Sequence, residues 1–72
     1  HWRLLIVKEQ FEYGFYRLPQ VVEITTLSKS RIYDLMSSGD FPKNISLGRR
    51  TSVWNRREVQ QWCNQQVLTT QA

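Results

Sequence analysis

The chain has 72 residues, ten of them Lys or Arg and six Asp or Glu, for a formal charge of +4. That length fits one domain and buries little surface, so the three Trp, three Tyr and three Phe must supply much of the core. A single cysteine, Cys63, excludes an internal disulfide and fits an intracellular protein, while the apolar run Leu4 to Val7 is too short to span a membrane.

In chain order, residues 1–15 show no clean period and are interrupted by Gly14. They read as an N-terminal arm, strand or short helix, whose Trp2, Leu5, Phe11 and Phe15 need a cover. A domain over residues 16–67 follows. Pro19 marks a first helical turn, and a helix is predicted from Pro19 to Thr25 with Val21, Val22 and Ile24 as its apolar contacts. The β-branched pair Thr25-Thr26 weakens its end. Ser28 is placed to cap a second helix, Lys29 to Ser38. There Ile32, Leu35 and Met36 form one stripe, and Lys29, Ser30, Arg31, Tyr33, Asp34 and Ser37 form the opposite face. Gly39 closes the helix and Pro42 prevents its continuation.

Ile45 to Leu47 alternates apolar with polar, Gly48-Arg49-Arg50 reads as a turn, and Thr51 to Trp54 favours strand, which together predict a short hairpin. Asn55 and Glu58 resemble a capping box that opens a third helix, Arg56 to about Val67, with Val59, Trp62, Cys63 and Gln66-Val67 on one side. Residues 68–72 are expected to fray. The fold class is therefore mainly α with a small β-hairpin.

Two short helices around a three-residue turn, the second amphipathic, make a helix-turn-helix, with Val22, Leu27, Ile32 and Leu35 setting the helix crossing. Thr26 occupies a turn position where Gly is common, so the turn must either avoid positive φ or tolerate strain. The segment from Lys29 to Arg57 carries seven cations against Asp34 and Asp40, a local +5, and the rest of the chain is −1. Such segregation suits a polyanionic partner. The second helix would enter the major groove of duplex DNA, with Lys29 and Arg31 donating to guanine edges or phosphates and Ser28, Ser30, Tyr33 and Asp34 beside them. Arg49 and Arg50 at the hairpin tip, with Lys43 and Thr51, would form a wing toward phosphates or the minor groove. Arg17, Arg56 and Arg57 are candidate backbone contacts, the last two placed against a helix dipole that an anion would offset.

Four ordered motifs carry a family resemblance: Arg17-Leu18-Pro19-Gln20-Val21, Leu27-Ser28-Lys29-Ser30-Arg31-Ile32-Tyr33, Gly39-Asp40-Phe41-Pro42-Lys43, and Trp54 with Glu58-Val59 and Trp62. Over residues 16–67 they resemble the AlpA-type prophage regulatory proteins, small excisionase-like DNA-binding proteins. The resemblance implies a winged helix-turn-helix related to the DNA-binding part of MerR-type regulators. It also implies action on a prophage or genomic island, either by activating an integrase gene or as a recombination directionality factor. It assigns base reading to Lys29, Ser30, Arg31 and Tyr33 and wing contacts to Arg49 and Arg50. Thr26 and residues 1–15 depart from the family pattern.

Other residues read more plainly. Cys63 is a small hydrophobe on an apolar helix side, Trp54 and Trp62 pack in the core, and Phe41-Pro42 plugs the gap between the second helix and the wing. Tyr33 can serve either the core or a phosphate. No nucleophile with a base partner, carboxylate pair or phosphate-cradling loop occurs, so neither an enzyme nor a cofactor is expected. Double-stranded DNA is the expected partner, with integrase, RNA polymerase or further copies on DNA as additional candidates. The rival readings are a module docking on integrase or polymerase without reading DNA, and the DNA-binding fragment of a ligand-sensing regulator.

Overall fold

A computed structural model describes residues 14–71. The expected arm over residues 1–15 thus lies outside the described residues except for Gly14 and Phe15. The elements are β1 (Phe15–Arg17), α1 (Leu18–Thr25), α2 (Lys29–Ser38), β2 (Ile45–Ser46), β3 (Ser52–Asn55) and α3 (Arg56–Gln71). The three strands form one antiparallel sheet in the order β1-β3-β2. Phe15 pairs with Asn55, Tyr16 with Trp54 and Arg17 with Val53, while Ile45 pairs with Val53 and Ser46 with Ser52. A helix-turn-helix followed by a hairpin is the winged helix-turn-helix architecture the sequence predicts. The strand β1, which adds a third member to the hairpin, is not in that prediction.

Local chemistry accounts for the boundaries. Pro lies in the first turn of α1, and Gln20 Oε1 accepts the Arg17 N–H at 2.9 Å. Ser28 Oγ accepts the Arg31 N–H at 3.1 Å and so caps α2. Gly39, at φ 82°, ends α2, and the Asp40 N–H reaches back to Leu35 O at 2.8 Å. Asn55 Oδ1 accepts the N–H groups of Arg57 at 2.9 Å and Glu58 at 3.3 Å, which starts α3 directly from the end of β3.

The turn between α1 and α2 takes the strained alternative: Thr26 sits at φ 62°, ψ 11°. Its N–H bonds to Val22 O at 2.8 Å. The neighbouring Thr25 hydroxyl donates to Val21 O at 2.7 Å and accepts the Leu27 N–H at 3.3 Å. Thr25 therefore ties both sides of the corner together.

The core is Tyr16, Val21, Ile32, Phe41, Trp54 and Val59, with Leu18, Val22, Leu27, Leu35, Met36, Trp62 and Cys63 partly buried around it. Trp54 is fully buried, and its Nε1 has no hydrogen-bond partner among the described residues, so packing alone holds the ring. Phe41 meets the Trp62 ring edge-on at 4.9 Å, and Trp62 Nε1 donates to Asp40 O at 2.6 Å. The Asp40–Pro42 loop is in this way tied to α3.

Three expectations need correction. Ile24 is exposed rather than a core contact, because Val21 and Val22 already occupy the buried side of this two-turn helix. Val67 does not extend the buried side of α3, whose core contacts end at Cys63. Residues 68–71 are helical rather than frayed. No Gly or Pro interrupts them, and the hydroxyls of Thr69 and Thr70 bond to Gln65 O and Gln66 O, each at 2.8 Å.

Candidate nucleic-acid interface

The stripe of α2 that faces the core fixes what its other side presents. With Ile32 buried and Leu35 and Met36 half-buried, Lys29, Ser30, Arg31, Tyr33 and Asp34 are all exposed. Ser28 is exposed as well; its oxygen is engaged as the cap acceptor, and the hydroxyl proton is left to donate. Among the described residues, neither Lys29 nor Arg31 forms an ion pair. This end of α2 therefore offers unneutralised cations beside the free amides of a helix N-terminus, an arrangement suited to anionic oxygens.

Tyr33 settles between its two expected roles. Its ring edge stands against Trp54 of β3 at 6.4 Å and 66°, yet it remains 39% exposed. That contact joins the exposed face of α2 to the central strand of the sheet, beside the core cluster that already holds Ile32 and Trp54 together.

The wing is a tight, internally bonded loop. The Leu47 N–H donates to Thr51 O at 2.9 Å and the Thr51 N–H to Gly48 O at 3.4 Å. Ser46 Oγ donates to Gly48 O and Thr51 Oγ1 to Arg49 O, both at 3.2 Å. Asn44 Nδ2 bonds to Ser52 Oγ at 2.6 Å across the base. Arg49 and Arg50 are exposed at the tip, and Arg50 adopts φ 57°, a conformation that turns of this kind usually give to Gly or Asn. Lys43 is exposed before β2, whereas Thr51 is half-buried and spends its hydroxyl on the loop itself.

The three candidate backbone cations separate. Arg17 is exposed on β1 and Arg57 on the first turn of α3, where with Gln60, Gln61 and Asn64 it lines a groove of about 250 Å³. Arg56 is half-buried: its guanidinium lies 5.0 Å from the Tyr16 ring centroid, and its N–H donates to Gly14 O at 3.0 Å. A Cβ at Gly14 would stand 3.2 Å from Arg56 Cδ, so the glycine makes room for this stem. The cation at the start of α3 is therefore offset inside the protein by an aromatic face, a partner that sequence spacing gives no means of finding.

Cys63 is half-buried, and burial pushes its thiol above the ordinary cysteine range, which suppresses the nucleophilic thiolate. Among the described residues no group of His, Cys, Asp and Glu is placed to hold a metal, and no helix is long and apolar enough to cross a membrane.

The fold and this cation-bearing face define a winged helix-turn-helix protein. Residues 14–67 match the family described as Prophage CP4-57 regulatory protein (AlpA), and the chain belongs to that family of regulatory proteins. It is also similar to Uncharacterized protein ORF88 of Enterobacteria phage P4, with 42% identity over 48 residues that cover 67% of this chain and 54% of that protein. The chain thus spans about half the length of the curated relative it matches. No solved structure matches it.

Proposed function

We propose that this chain binds duplex DNA sequence-specifically, with α2 in the major groove and the β2–β3 wing on the flanking backbone or minor groove. On this reading it regulates a prophage or genomic island, by activating an integrase gene, by directing excision, or both. The observation that carries the proposal is the exposed row Lys29, Ser30, Arg31, Tyr33 and Asp34, joined through Tyr33 and Trp54 to a wing that ends in Arg49 and Arg50. Arg31 is the base-reading residue of choice, because its planar fork matches two acceptors on one guanine edge. Lys29 and the wing arginines supply phosphate contacts.

Titrating the protein with duplex DNA at several salt concentrations tests the reading. Affinity falls steeply with salt if phosphates are neutralised, and a flat dependence favours a module that docks on integrase or polymerase through apolar contacts. Footprinting on attachment-site and integrase-promoter DNA then locates the operator. Arg31→Ala is expected to cost about 1–3 kcal/mol on that operator and to relax discrimination at one base pair. A uniform loss over all single-base operator variants, with a shallower salt slope, would make Arg31 a phosphate contact instead.

A further inference from the structure

Leu47 is placed by strand alternation on the same side of the hairpin as Ile45 and Val53, yet it is 53% exposed. The reason is its neighbour. Ile45 pairs with the buried Val53, whereas Leu47 lies just past the end of the ladder, its N–H bonded to O of the polar Thr51. An exposed leucine is ordinary on a protein surface by itself. This one differs in its setting from the other large apolar residues exposed among the described ones, Phe15, Ile24, Tyr33, Val67 and Leu68. It is held in a loop closed by four hydrogen bonds, next to Gly48 and two arginines that are unpaired among the described residues. One of those arginines is kept at φ 57°, where glycine would relax the backbone but carry no charge.

An apolar side chain beside cations on a narrow two-strand ribbon matches the chemistry of the DNA minor groove, whose rims are phosphate and whose floor gives access to stacked, apolar base faces. Phosphates alone would give Leu47 no favourable contact. We propose that Leu47 is a wedge that the wing inserts at a base step in the minor groove while Arg49 and Arg50 hold the flanking phosphates, partly unstacking that step and kinking the duplex. The proposal rests on the DNA-binding reading above and adds a side chain that acts by deforming DNA, without reading a base edge.

The test uses the whole chain and a duplex that it selects from a randomised pool, with 2-aminopurine placed in turn at each step of the site. Wild-type protein brightens the probe at one step or an adjacent pair. Leu47→Phe, which keeps an apolar wedge, retains that signal. Leu47→Ala and Leu47→Gln abolish it and lower affinity about tenfold, with an unchanged salt slope because no phosphate contact is lost. Their melting temperatures match wild type, since Leu47 is outside the core. Tight binding by wild type with no brightened step overturns the wedge and leaves the DNA-binding reading intact, as does brightening by Leu47→Ala equal to wild type. Failure to select any duplex overturns both.

Discussion

Thr26 is a β-branched residue in the left-handed region, and in return the loop gives it the bond from its N–H to Val22 O, which glycine would keep, and an exposed bond from its hydroxyl to Thr25 O, which water can replace. The left-handed conformation costs an L-residue about 1–2 kcal/mol, and glycine forfeits about 0.5–1 kcal/mol of chain entropy. The first effect wins. Thr26→Gly should therefore stabilise the domain by up to about 1 kcal/mol and raise its melting temperature by a few degrees, with DNA affinity unchanged. Gly39→Ala should do the reverse, because φ is 82° there and a Cβ meets no atom within 4 Å, so the cost is purely conformational. A thermal melt in which both variants move in the same direction would show that the two left-handed corners are not strained in the way their backbone angles imply.

At the scale of the element, the wing combines a rigid frame with a tip whose backbone is under strain. Arg49→Ala with Arg50→Ala should weaken binding to all sequences about equally and leave the melting temperature nearly unchanged, because neither side chain touches the core. Arg50→Gly separates the two properties further: the melting temperature holds or rises while affinity for any duplex falls. A fall in both would make Arg50 a structural residue. The helices and all but the last of their ends were readable from sequence because Pro19, Ser28, Gly39, Pro42 and Asn55 act on their immediate neighbours, whereas no such residue marks the end of α3. The strand β1 was not, since three residues carry no period and their partner, β3, is about forty positions away. In the site, the exposed face of α2 and the arginine tip followed from amphipathic spacing and turn chemistry. The lodging of Arg56 on Tyr16 and the exposure of Leu47 did not, because both depend on which residue lies across the sheet.

For the molecule as a whole, stability is concentrated in a few side chains. Tyr16 packs in the core, carries the Arg56 guanidinium on its ring and accepts a bond from Gln60 Nε2 at 3.0 Å. Truncating a buried aromatic costs about 3–5 kcal/mol, and a core this small seldom supplies more than about 3–5 kcal/mol in total. Tyr16→Ala is thus expected to unfold the domain, seen as loss of helical circular dichroism and of DNA binding together; retained helicity would mean that α1 and α2 stand without the sheet. The pairing of β1 with β3 has a consequence for how the protein comes into being. Those strands bracket the helix-turn-helix and the turn of the wing, so joining them closes one long loop around both the exposed face of α2 and the arginine tip. Until β3 has emerged from the ribosome, a nascent chain has neither the partner for Tyr16 nor Trp54 to pack beneath α2. On the proposed reading, competence to bind then arrives in one step once β3 is made, and a chain stalled before Ser52 has α2 in sequence but no surface on which to hold it.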